Sequence, residues 1–211
     1  MAILFLCVVP AHAAVVHLVG DTVDFFYDNA QPGMAAYGTL TAVGDSIFAQ
    51  PTNFRAESLN GGNVTFSALG TVVVVTKSGY KFKSVTVVQQ GDYQLSGNGA
   101  SVSSQATLDV TDSSVPATTV STALASSSNF TVPDVLTAWS NSAVVNLDTM
   151  MWSGVSSIDL TLDSTLNAST SANGEQAMIQ NKLVGSGLMT VVTTPVPLPA
   201  AIPANNHRPM I

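Results

Sequence analysis

Thr71-Val72-Val73-Val74-Val75-Thr76, closed by Ser78-Gly79 and followed by Tyr80-Lys81-Phe82-Lys83-Ser84-Val85-Thr86-Val87, is the stretch that decides the fold. Six β-branched residues in a row are stiff at χ1 and suit a pleated strand better than a helix. The unbroken apolarity of Val72 to Val75 predicts a central strand covered on both faces. The second segment alternates apolar and polar residues at period two, and the Ser-Gly break makes it the predicted hairpin partner.

The same pattern extends outward. Gly91-Asp92 is read as closing that partner, Tyr93-Gln94-Leu95 as opening a new strand, and Gly97-Asn98-Gly99 as a tight turn into Ala100 to Val110. Those segments together predict an antiparallel meander. Val155 to Leu166 sets Val155, Ile158, Leu160, Leu162 and Leu166 against Asp159, Thr161 and Asp163, which predicts the longest half-buried strand. Gln176 to Leu183 and Leu188 to Thr193 flank Gly185-Ser186-Gly187 as a closing hairpin.

Ser113 to Ser128, rich in Ser, Thr and Ala, is the predicted long crossover or loop. No window carries an i, i+3, i+4 stripe of good helix formers, and the best candidate, Pro133 to Trp139, would make one or two turns. Strands spaced by about ten residues with Gly, Asn and Ser turns predict an all-β protein. The expected architecture over residues 14–194 is a single β-sandwich of antiparallel strands, jelly-roll-like or immunoglobulin-like.

Only 9% of the 211 residues are charged while 46% are apolar, so hydroxyls and amides must coat the surface. The plentiful Val, Ile, Leu and Phe separate the chain from intrinsic disorder. Its net charge of -7 repels phosphate backbones, which excludes nucleic acid as an expected partner. The one cysteine, Cys7, follows Leu6 where a lipidation site wants a small residue.

Residues 1–13 read as a signal peptide. Ala2 to Pro10 is an apolar run too short to span a bilayer, and Ala11-His12-Ala13 offers signal peptidase its small residues, with cleavage after Ala13. No Lys or Arg precedes the run. At the other end, Val192-Thr193-Thr194-Pro195-Val196-Pro197-Leu198-Pro199-Ala200-Ala201 resembles the Val-Pro-Leu-Pro-Ala variant of the PEP-CTERM sorting tail, with Val196, Pro197, Leu198, Pro199 and Ala200 as the motif.

In that family a hydrophobic helix and a basic end follow the motif. Ile202 to Ile211 supplies neither, so residues 195–211 read as a Pro-rich remnant of such a tail. Val23-Asp24-Phe25-Phe26-Tyr27-Asp28 and Gly44-Asp45-Ser46-Ile47-Phe48 are similar to mature regions of the same family. The resemblance implies processing by an exosortase, a secreted or cell-surface protein of a Gram-negative bacterium, and a biofilm matrix of extracellular polysaccharide or matrix proteins. It carries no catalytic signature.

Chemistry-bearing residues are few. His17 and His207 are the histidines outside the leader, and neither accompanies a Gly-x-Ser-x-Gly elbow. Glu57 and Glu175 are the only glutamates for a carboxylate-based glycan hydrolase. Asp21, Asp24 and Asp28 with Asn29, and Asp109 with Asp112, are candidate oxygen ligands for a structural Ca²⁺, against the ordinary role of Asp as a turn residue. No other cofactor is expected.

Trp139, Trp152, Tyr80 and Tyr93 are the aromatics available for sugar stacking, and apolar neighbours favour both tryptophans as core. Phe25-Phe26-Tyr27 is expected to divide between core and surface. The expected function is a non-catalytic matrix protein, adhesive or polysaccharide-associated. The alternatives are a self-assembling filament subunit, joined through a terminal strand such as Val15 to Tyr27, and a glycan hydrolase.

Overall fold

The computed structural model of the chain describes residues 15–126, 128–182 and 188–197. The first strands are β1 (Val15–Val19) and β2 (Val23–Asp28), then a four-residue helix α1 (Met34–Tyr37), β3 (Thr39–Val43), β4 (Ser46–Gln50) and β5 (Arg55–Leu59). Three long strands follow: β6 (Gly62–Thr76), β7 (Tyr80–Ser96) and β8 (Ser101–Asp112). After the short β9 (Thr119–Ala123) and β10 (Ala125–Ser126) come β11 (Thr137–Asn146), a 3-10 turn at Met150–Trp152, β12 (Ser157–Thr170), β13 (Gln176–Asn181) and β14 (Met189–Pro195).

Two antiparallel sheets pack face to face, as the period-two pattern predicts. The front sheet has the order β1-β2-β6-β12-β8-β9 and the back sheet β10-β11-β7-β14-β4-β3, with β13 pairing β7 as well and β5 pairing β13. β12 pairs along its length with β6 and β8 and is the spine of the front sheet. β7 plays that part behind, with β11 on one edge and β13 and β14 on the other. Their inward residues make one core, in which Phe25, Val74, Leu108 and Leu160 meet Ile47, Val85, Val87 and Ile179. Each such side chain contributes about 1.5–3 kcal/mol on burial.

Several local expectations hold. Ile158, Leu160, Leu162 and Leu166 are buried, and Asp159, Thr161 and Asp163 lie on the opposite face. Phe25 and Tyr27 enter the core while Phe26 stacks outside on His17 at 4.5 Å. Both tryptophans are buried.

The deciding stretch is right about strands and wrong about their partnership. Val72 and Val74 are buried but Val73 and Val75 are half-exposed, so β6 is central in its sheet yet covered on one face only. β6 and β7 are also not a hairpin: they lie in opposite sheets, joined by an arch at Lys77 to Gly79. Two strands with one apolar face each bury those faces better across a core than side by side. Lys77 N–H donates to Thr22 O at 2.9 Å and Gly79, at φ +86°, finishes the arch. The chain arches back at Gly97, placing β8 in the front sheet, so there is no meander. This alternation between sheets is a jelly-roll habit.

Gly91 does not end a strand. β7 runs straight through it and is longer than β12. A Cβ at Gly91 would sit 1.8 Å from Gln180 O and 2.9 Å from the Trp139 indole nitrogen. The glycine makes room for that indole, whose N–H reaches Asp92 O and Gln180 O at 3.3 and 3.1 Å.

The closing hairpin is likewise corrected: β13 and β14 run in the same direction, end to end along one edge of β7. Pro133 to Trp139 forms no helix, because Trp139 belongs to β11; α1 forms instead at Met34–Tyr37. Ser113 to Ser128 does cross between the sheets, but as β9 and β10 with the buried Leu124 between them.

A polar seam crosses the core. Gln89 Nε2 donates to Ser164 Oγ at 2.7 Å, Tyr37 Oη lies 3.0 Å from the same hydroxyl, and Tyr37 O–H donates to Leu162 O at 3.2 Å. This seam ties α1 to β12.

Candidate functional site

The outer face of β6, β12, β8 and β9 collects the hydroxyls and amides that composition demands. Antiparallel register aligns Thr65 with Asn167 and Ser103, Ser67 with Thr165 and Gln105, and Thr71 with Thr161, Asp109 and Ser121. With strands about 4.8 Å apart, these rows form a grid. Hydrogen bonds join its members: Thr65 to Asn167 at 2.6 Å, Ser67 to Thr165 at 2.9 Å, Thr71 to Thr161 at 3.0 Å and Thr111 to Thr119 at 2.9 Å.

The charge on this face has one sign. β6, β8, β9 and β12 contain no Lys or Arg, while Asp109, Asp159 and Asp163 occupy outward positions. Asp159 accepts a bond from Ser113 Oγ at 2.7 Å, and one oxygen of Asp109 is buried with no partner among the described residues. Anionic polymers are therefore repelled here.

The candidate calcium ligands do not converge. Asp24 and Asp28 are four residues apart in an extended strand, about 13 Å at the usual rise. Asp24 faces His17 Nε2 at 3.6 Å and Lys77 Nζ at 3.7 Å, and Asp28 accepts the Ala30 N–H at 2.8 Å. Asp21 lies in the exposed turn between β1 and β2. Asp109 points outward and Asp112 inward on the same strand. Ser114 donates its hydroxyl and N–H to Asp112, holding that carboxyl below its ordinary range. Among the described residues no three His, Cys, Asp or Glu side chains are grouped closely enough to hold a metal.

The glutamates have structural partners. Glu57 meets Arg55 at 2.6 Å and Gln176 Nε2 at 3.2 Å. Glu175 accepts the N–H groups of Gly99, Ser171 and Ala172 at 2.7, 2.7 and 2.9 Å, and the Ser171 hydroxyl at 3.1 Å. The Gly99 N–H foremost, with Ser171 after it, holds this carboxyl below its ordinary range. A glycosidase acid needs the opposite shift. The sequence pointed to neither this cage nor the bonding role of Asp45, which accepts from Thr22 N at 2.8 Å, Val23 N at 3.3 Å and the Thr22 hydroxyl, tying the back sheet to the front.

Of the aromatics, Tyr93, Trp139 and Trp152 are buried and Tyr80 is exposed. Val196 N–H still bonds Gly79 O at 2.8 Å beyond β14, and Pro197 follows. Leu198, Pro199 and Ala200, the leader residues Ala11 and Ala13, and His207 lie outside the described residues.

No protein-family model and no curated protein matches the chain. Among solved structures, the crystal structure of the infectious bursal disease virus VP2 subviral particle is similar at 15% identity and a TM-score of 0.28, over 67% of this chain. The chain spans 37% of that one's length. A likeness at this level carries no functional argument. The class defined by fold and geometry is an all-β sandwich of two antiparallel sheets.

Proposed function

We propose that this chain is a non-catalytic, exported protein of the bacterial cell surface or extracellular matrix that associates with polysaccharide. The observation that supports this most is the outer face of β6, β12, β8 and β9: a broad grid of hydroxyls and amides with acidic but no basic groups. Such a face offers many weak hydrogen bonds to hydroxylated polymers and disfavours anionic ones. The leader with Ala11 and Ala13, and the PEP-CTERM-like Val196 to Ala200, support signal-peptidase and exosortase processing in a Gram-negative bacterium.

The test is depletion of the protein from solution by insoluble neutral polysaccharide, followed by an assay for released reducing ends. Depletion without release is the expected outcome. Release of reducing ends would replace this reading with the hydrolase one, and no depletion by any polysaccharide would remove it.

A second reading, a self-assembling subunit, is favoured by β1. Among the described residues this edge strand pairs only with β2, and it shows Val15 and Val19 to solvent without a charged residue or a proline. Size-exclusion chromatography and electron microscopy at rising concentration test it. A monodisperse monomer throughout would sink it.

A further inference from the structure

Beside α1 the surface opens into a hollow of about 380 Å³. That is the size of an ordinary small-molecule site. Tyr27 and Met34, both buried, belong to its wall. The exposed Asn29, Thr39, Gln50 and Thr52 add two carboxamides and two hydroxyls. Among the described residues no Asp, Glu, Lys, Arg or His lines it.

The wall is built by close packing. Gly38, at φ +70°, rests so near β4 that a Cβ would lie 2.0 Å from Gln50 O. A Cβ at Gly70 would meet Met34 Sδ and Tyr37 at 2.9 Å, so that glycine lets α1 settle on β6. Tyr37, bonded to Leu162 and Ser164, fixes α1 from beneath. The hollow is thus preformed, which lowers the ordering cost of binding.

Its polar groups are available. Among the described residues, the side chains of Tyr27, Asn29, Thr39, Gln50 and Thr52 form no hydrogen bond with the protein, although their types fill the bonded grid on the front sheet. Carboxamides present a donor and an acceptor side by side, matching adjacent hydroxyls of a sugar ring. With no cation in the lining and a chain charge of -7, a uronic acid or sulfated sugar gains nothing here.

We infer that this hollow is a binding subsite for a neutral sugar residue of a glycan chain. The inference rests on the polysaccharide reading above and gives it a location. Asn29 and Gln50 provide orientation, with the buried Tyr27 and Met34 in the wall behind them.

The experiment uses the mature protein, first on an array of neutral and uronic-acid polysaccharides. Oligosaccharides of the retained polymers are then titrated while the side-chain amide signals of asparagine and glutamine are followed by NMR. A double variant, Asn29→Ala with Gln50→Ala, is carried alongside; both positions are exposed, so the fold should persist, and its amide spectrum checks that.

The expected result is retention on a neutral polymer, shifts at the Asn29 and Gln50 amides, and affinity weaker by about tenfold or more in the double variant. Retention with undiminished affinity in that variant would leave the polysaccharide reading standing and overturn the hollow. Retention on uronic-acid polymers alone would overturn the neutral specificity. Retention on no polymer would overturn both.

Discussion

The front-sheet grid and the hollow beside α1 use the same side-chain types in opposite ways. On the grid, Thr65, Ser67 and Thr71 each face a partner across the strand and bond to it. In the hollow, Thr39 and Gln50 also face each other across β3 and β4, yet among the described residues their side chains, like those of Asn29 and Thr52, form no hydrogen bond; the wall is a helical turn and the ends of β2, β3 and β4. A hydroxyl already bonded to its neighbour keeps a free lone pair and offers a ligand one weak bond. One held in place but unengaged by protein exchanges only water. Composition sets how many polar groups the surface carries, while the pairing of side-chain types within each register sets which of them bond to one another.

The largest effect is expected from deforming the hollow's wall. Gly38→Ala adds a Cβ at a left-handed φ and 2.0 Å from Gln50 O, so the backbone must move. A loss of about 2–4 kcal/mol is expected in the free energy of urea unfolding. Sugar binding, measured below the transition, should fall with it. A loss under about 0.5 kcal/mol would mean that α1 yields easily, and the contrast between a rigid hollow and a rigid grid would break.

Next is Tyr37→Phe, which removes the hydroxyl that ties α1 to β12 and leaves the ring in place. Burial pushes this phenol's pKa well above its ordinary value, so it remains a donor throughout the physiological range. A loss of about 1–2 kcal/mol is expected, together with weaker binding in the hollow and unchanged behaviour of the grid. Equal stability would show that the Gln89–Ser164 bond holds the seam alone.

These positions also mark what the sequence could and could not tell. β12 was legible because its alternation is local: Ile158, Leu160 and Leu162 face in whichever sheet the strand joins. Sheet membership was not, because an arch and a hairpin at Ser78-Gly79 look alike until a second layer is present to bury both faces. Gly91 misled for a similar reason, since room for a distant Trp139 leaves the same trace as a turn.

The hollow was nearly invisible in sequence. Its wall depends on Gly38 meeting Gln50, twelve positions away in the chain. Asn29 was noticed, but as a neighbour of acidic calcium candidates that extended strand geometry then spread apart.

Glu175 is a charged member of the satisfied class, so pH can read its satisfaction. Its donors favour the carboxylate and put the folded pKa below the ordinary 4.5. Stability from this group is therefore fully present above that ordinary value and lost as pH falls through the lowered one. Glu175→Gln should lower Tm at pH 7 and narrow the gap to wild type as pH approaches 3. A gap constant across that range would mean the cage does not distinguish the ionised form.

The smallest effect should come from the grid itself. Thr165→Val keeps shape and strand propensity but removes the bond to Ser67, at an expected cost of about 0.2–1 kcal/mol. Because that hydroxyl is engaged by its neighbour, affinity for a short oligosaccharide in the hollow should not change. Retention on an extended polymer, which sums many weak contacts, should fall by less than about twofold. If Thr165→Val instead abolished oligosaccharide binding, the grid would be the recognition surface. Cross-strand hydrogen bonds would then be ordering hydroxyls for a ligand, and satisfaction by protein would no longer separate the two regions.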